Sequence, residues 1–339
     1  GTAFNLSVSW ATGTRMAHPW LLLLLPVSGL LIAGLYRLTK MENENTNAII
    51  DSIHFGDKVP LMLVPAIFIS TTITHLFGGS AGREGAALQI GGSLGCYIGR
   101  AFRLDDKDMR LATLCGMSAV FAALFGTPLT ATLFALEVIS VGVIYYSALV
   151  PCIVASLFAL EMAIIFGITP THFDVVIEPI SELMLLKVSA LAIVCSLMST
   201  VFCLSMHKTE HLFAKLIKNP YLRIAAGGAL VVLITAILGT GDYNGAGMNI
   251  IKRAIEEGQA KPDAFFWKLI LTAITIGCGF KGGEVVPTFF IGATLGCVLG
   301  SLLGIPTGFA AAIGLICVFC GAVNCPVASI VLSIELFGS

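Results

Sequence analysis

Arg83 and Glu84 stand in the stretch "LFGGSAGREGAALQIGGSLG" (76–95), where nearly every neighbour is Gly, Ala, Leu or Ile. A carboxylate in such surroundings can do two things: exchange a proton, or occupy a site built for an anion. The glycines of "GREGA" (82–86) end an irregular stretch, and a helix-forming run begins directly after. Unpaired backbone N–H groups and the positive end of the helix dipole then point at one spot. Such an end is a ready anion site, and glycine lets an ion approach the backbone closely. The stretch "GGEVVP" (282–287) repeats the arrangement with Glu284. Gly82, Arg83, Gly85 and Ala86 in the first stretch, and Val285 and Val286 in the second, are therefore candidate anion-binding positions. Glu84 is the candidate gate and proton carrier, and Glu284 a candidate second proton site. The plainer alternative pairs Glu84 with Arg83 or has it cap its helix.

The elements that must hold these residues are set by the solvent. Of 339 residues, 57% are hydrophobic and 12% charged, with a mean hydropathy of +0.94. Ordinary soluble domains carry about 25% charged residues, so this chain is expected to lie in lipid, where ionisable groups are costly and functional by default. A net charge of −1 argues against nucleic acid as a partner. The ten cysteines are scattered singly through apolar runs, apart from Cys317 and Cys320 in "GLICVFCGAV", and small packing residues account for them better than a metal.

Apolar runs follow one another with short polar breaks, and several fall short of the about 20 residues a spanning helix needs. Short segments cut by Gly or Pro resemble the broken helices of transporters. The run 129–166 is too long for one span and reads as two helices meeting near Pro151. Internal repetition is clear. "IGGSLGCYIG" (90–99) and "IGATLGCVLG" (291–300) share six residues in ten, and "FGTPLTATLFALEV" (125–138) matches "VNCPVASIVLSIEL" (323–336). Both pairs lie at an offset of about 200 residues, which divides the chain into two related halves. The polar stretch at 207–222 puts the boundary between 1–206 and 207–339. In this alignment Glu284 falls opposite Glu84. Duplicated halves place a substrate site at their interface near the bilayer midplane.

These residues carry a family resemblance. "GREGAALQIGGSLG" resembles the GREGP-type motif of the CLC family of chloride channels and proton-coupled anion antiporters; "FGTPLTATLFALEV" resembles the segment that follows it there. "GGEVVPTFFIGATLG" is similar to the family's second-half GxFxP motif, with Glu284-Val285 where Ile-Phe is more usual. The resemblance implies an all-α, polytopic membrane fold of two inverted-topology halves with broken, tilted helices, assembled as a homodimer with one anion path per subunit. It also implies a central anion site. The GSGIP motif that supplies a serine there is missing, and "MENENTNAII" stands in its place, so Asn43 or Asn45 is expected near the anion. The tyrosine that the family adds from a late C-terminal helix is expected beyond residue 339. Val138 follows Glu137 where the family's chloride/proton antiporters carry a second, inner glutamate. Together these departures resemble the fluoride/proton antiporters of bacteria, which carry Met where this chain has Asn.

The expected function is thus proton-coupled anion transport, exporting fluoride from a bacterial cell through the inner membrane. The alternatives are a chloride/proton antiporter or passive chloride channel of the same family, or a membrane carrier for an organic solute. No nucleophile–base pair or cofactor motif suggests an enzyme, and no cofactor is expected. His207 and His211 have metal-ligand spacing on a helix face but lack a third ligand. His75 lies in the apolar run before Glu84. Glu137 and Glu335 end the repeated helices, where structural hydrogen bonding is the expected role.

Overall fold

A computed structural model describes residues 1–41, 60–139, 145–176 and 181–338. The described residues form fourteen α-helices: α1 (Thr2–Ala17), α2 (Leu25–Leu38), α3 (Leu63–Leu76), α4 (Glu84–Ala101), α5 (Asp106–Phe125), α6 (Pro128–Glu137), α7 (Tyr146–Ile165), α8 (Glu182–Leu216), α9 (Pro220–Leu238), α10 (Met248–Glu256), α11 (Ala264–Gly277), α12 (Val285–Leu303), α13 (Thr307–Val323) and α14 (Pro326–Phe337). A 3₁₀ segment, Pro19–Leu24, leads into α2. Among the described residues, six stretches are long and apolar enough to cross a membrane. In contrast, α3 and α11 have 14 residues each. At 1.5 Å per residue that is about 21 Å, short of the roughly 30 Å hydrocarbon core. Both stop inside the protein, and both are followed by a glycine-rich break and a second helix, α4 or α12.

The series α3–α6 and α11–α14 therefore repeat one pattern, and the repeated glycines explain part of it. A Cβ on Gly91 or Gly95 of α4 would collide with the backbone at Gly116 or Ala112 of α5. One on Gly292 or Gly296 of α12 would collide likewise with Gly314 or Ala310 of α13. Small residues four apart let two helices approach at backbone distance, which is how helices associate in lipid. This glycine register corrects one expectation. It sets Arg83 opposite Glu284 and Glu84 opposite Val285; Arg83 and Glu284 each directly precede the first residue of their helix.

Two further expectations are corrected. The break in 129–166 follows Glu137, and Pro151 sits inside α7. Only one intrahelical bond is lost at a proline, and neighbouring segments in a membrane bundle re-satisfy the freed group. Residues 206 and 207 lie inside α8, so a boundary drawn there cuts a continuous helix. The polar stretch that suggested it simply carries the helix on; 35 residues span about 52 Å, more than the hydrocarbon core.

The halves are pinned to each other by two carboxylates. Glu137, the last residue of α6, accepts from the N–H groups of Val327 (3.1 Å) and Ala328 (2.8 Å) at the start of α14. Glu335 of α14 accepts from Leu129 (3.0 Å) and Thr130 (2.8 Å) at the start of α6. Each helix thus satisfies orphan donors at the start of its counterpart. This is the structural role expected of both residues. Around this joint, ring contacts run from Phe121 and Phe125 of α5 through Phe134 of α6 to Phe289 of α12 and Phe319 of α13, at centroid distances of 4.8–6.0 Å.

Candidate anion and proton site

The two glycine breaks meet face to face. Gly82 and Gly283 form an isolated antiparallel bridge, each donating its N–H to the other's carbonyl at 2.7 Å. The N-termini of α4 and α12 consequently open on either side of one small volume. Neither glycine has room for a side chain. A Cβ on Gly283 would lie 2.6 Å from the Gly85 nitrogen and 2.8 Å from that of Glu84. One on Gly82 would overlap the Glu84 carboxylate itself.

That carboxylate is the occupant of the volume. Glu84 is fully buried. Its Oε2 accepts from the Arg83 N–H at 2.9 Å. The carboxylate thus sits at the bridge that joins the starts of α4 and α12, with the positive ends of two helices beside it. Oε1 has the Arg83 Nε at 3.8 Å but no hydrogen-bond partner among the described residues. A buried carboxylate oxygen with no protein donor on it is placed to carry a proton.

Arg83 flanks the carboxylate and also reaches beyond it. Its guanidinium hydrogen-bonds the Asn5 side chain of α1, which keeps the loop fixed while leaving its N–H directed at Glu84. It also lines a recess of about 380 Å³ together with Asn5, Ser9, His172, Asn249 and Lys252. These donors and cations make an approach suited to an anion. Behind the loop, His75 is fully buried and its Nε2 lies 3.1 Å from the Gly82 carbonyl, so it buttresses the bridge. Its Nδ1 has no partner among the described residues.

Of the residues singled out from sequence, the structure gathers Gly82, Arg83, Glu84, Gly85 and Val286 around the site; Ala86 and Val285 are buried beside them. Glu284 directly follows Gly283 of the bridge, but among the described residues no hydrogen bond or ion pair joins its side chain to that of Glu84. It is exposed, and its electrostatic neighbours are Glu210 and Cys203 of α8. Asn43 and Asn45 lie outside the described residues. His207 and His211 face each other at 4.7 Å between ring centroids on α8. Sequence reasoning missed Gly283, whose significance lies in its contact with the other half. It also missed Lys268, the single charge in the apolar run "AFFWKLILTAITIGCGF", which its isolation could have revealed.

An all-helical, multi-pass bundle with two antiparallel related segments meeting at an amide-lined carboxylate defines a class of membrane anion pathway. The family described as voltage gated chloride channel matches residues 28–339; the chain belongs to that family. It is 41% identical to a "Chloride/fluoride channel protein" of Pseudomonas syringae pv. tomato, over 99% of this chain and 76% of that protein. Its fold superposes with a TM-score of 0.96 on the crystal structure of a CLC-type fluoride/proton antiporter, at 32% identity over 99% of this chain and 86% of the other. A slow cyanobacterial chloride/proton antiporter shares the fold, with a TM-score of 0.78 at 21% identity over 99% and 85% of the two chains.

Proposed function

We propose that the chain is a fluoride/proton antiporter of the bacterial inner membrane, acting as a homodimer with one anion path per subunit, and that Glu84 is its gate and proton carrier. The observation that carries this reading is the fully buried Glu84 carboxylate, held by the Arg83 N–H at the Gly82–Gly283 bridge between two helix starts. A carboxylate and a transported anion compete for the same N–H groups. When Glu84 is ionised, it fills the site. When a proton binds Oε1, the carboxyl becomes neutral, its hold on the donors weakens, and an anion can take them. Release of the proton on the other side returns the carboxylate to the donors and expels the anion. One group thereby links the two movements.

Fluoride is supported by the "GGEVVP" form of the second-half motif, by Val138 in place of an inner glutamate, and by the relatives whose names carry fluoride. A small, tightly hydrated ion needs close donors to replace its hydration shell, and the glycine bridge makes the site narrow. The test is efflux from proteoliposomes, following fluoride and chloride in parallel with a pH electrode. Fluoride efflux with proton uptake supports the reading. Faster chloride exchange, or chloride flux without protons, assigns the chain to the chloride/proton antiporters or channels of the family. No flux of either ion would favour a carrier for an organic solute.

A further inference from the structure

Lys268 lies on α11 with its side chain fully buried. Among the described residues its ammonium forms no ion pair. Nζ donates to the carbonyls of Gly245 (2.5 Å) and Tyr243 (3.2 Å) and sits 5.2 Å from the ring centroid of Phe290 on α12. Two carbonyl dipoles and a ring face solvate a cation, but none of them supplies a negative charge. A buried charge is normally paired, so the missing partner calls for an explanation.

The surroundings indicate one. The carbonyls that hold Lys268 belong to a loop tied to the strand of backbone leading into Glu84. Gly245 donates its N–H to the Gly79 carbonyl (3.0 Å), the Asn244 amide donates to the Gly78 carbonyl (2.8 Å), and the Ser80 hydroxyl donates to the Tyr243 carbonyl (2.9 Å). Lys268 thus stands directly behind the 78–83 loop. The charged and titratable groups facing this region are Arg15 of α1, which donates to the His75 carbonyl at 3.3 Å, His75 of α3, and Arg83 and Glu84 at the start of α4. Of these four groups, Glu84 is the one acid.

We propose that Lys268 is the counter-charge of the anion site, a positioning residue whose ammonium is balanced alternately by the Glu84 carboxylate and by the bound anion. It acts through the field it sets up at the site, and it has no contact with the anion. In one half-cycle it favours the ionised form of Glu84; in the other it favours anion over empty site. The inference rests on the reading of Glu84 as a carboxylate that leaves and returns.

The competing account is a structural clamp, in which Lys268 only supplies hydrogen bonds to two carbonyls. Lys268→Gln keeps a donor and removes the charge, whereas Lys268→Arg keeps the charge. In detergent-solubilised protein, the infrared band of the protonated Glu84 carboxyl, assigned by its loss in Glu84→Gln, is titrated with pH. Sodium fluoride binding is measured by calorimetry on the same samples. The expected result for Lys268→Gln is a titration midpoint higher by about one pH unit, a tenfold gain in proton affinity, and fluoride affinity about tenfold weaker; Lys268→Arg restores both toward wild type. A folded Lys268→Gln with unchanged midpoint and affinity overturns the proposal. If Lys268→Gln does not fold, the Glu84→Gln/Lys268→Gln double variant decides. Recovery of folding shows that the two charges compensate each other, and continued failure shows a clamp and overturns the proposal. Failure of the wild type to exchange fluoride for protons in liposomes would count against the transport reading alone, because the infrared titration still reports on Lys268.

Discussion

Gly82 and Gly283, far apart in the chain, exchange both of their backbone hydrogen bonds at 2.7 Å and join the two helix starts that form the site. The donors that face Glu84 come from residues adjoining this bridge, so its geometry decides how close they stand.

Gly283→Ala tests that relationship. The added methyl would lie 2.6 Å from the Gly85 nitrogen and 3.2 Å from Glu84 Oε2, so either the bridge or the carboxylate must shift. Anion exchange should fall at least about tenfold, roughly 1.4 kcal/mol. Size-exclusion chromatography should still show assembled protein. Wild-type exchange in this variant would mean that the bridge does not shape the site.

Glu84→Gln keeps the size of the side chain and removes both charge and titration. Proton movement should vanish, with anion flux either blocked or uncoupled from pH. A pH electrode beside an anion electrode reads the two together. Intact coupled exchange would remove Glu84 from the mechanism.

Selectivity is the third expectation. Fluoride efflux should exceed chloride efflux by at least about tenfold, or about 1.4 kcal/mol of discrimination, in liposomes loaded with either salt. Equal rates would move the chain among the chloride transporters of its family.

Glu284 offers a sharper question, since it is exposed beside α8 and Glu84 is buried in the bridge. If protons pass between them, Glu284→Gln should leave the anion path open and lower the number of protons moved per anion. If Glu284 only braces the start of α12, flux and folding should fall together while the ratio holds. The proton-to-anion ratio of a well-folded variant separates the two.

The reciprocal caps predict a stability effect without a change of mechanism. Glu137→Ala leaves the Val327 and Ala328 N–H groups unpaired, a loss of about 1–3 kcal/mol. Glu335→Ala should cost a similar amount through Leu129 and Thr130. Thermal unfolding in detergent should show lower midpoints for both, and the surviving protein should keep its proton-to-anion ratio. A variant as stable as wild type would mean that these bonds contribute nothing.

Much of this was already legible in the residues themselves. Apolar content determined the solvent, because 12% charged residues cannot cover a soluble domain of this size. Charge in an apolar run marked Glu84, and repeated glycines marked two related helix starts, since both signals are local and need no knowledge of contacts. What tertiary structure alone decided was which atoms face each other. The Gly82–Gly283 bridge, the Glu137 and Glu335 caps and the Lys268 carbonyl cage all join segments distant in sequence. The same is true of Glu284: its place in a motif suggested a partner for Glu84, yet it precedes the first residue of its helix and its side chain is exposed. Spacing along a chain sets which residue begins a helix. The direction in which that residue points is set by the backbone of the other half, which the local sequence does not contain.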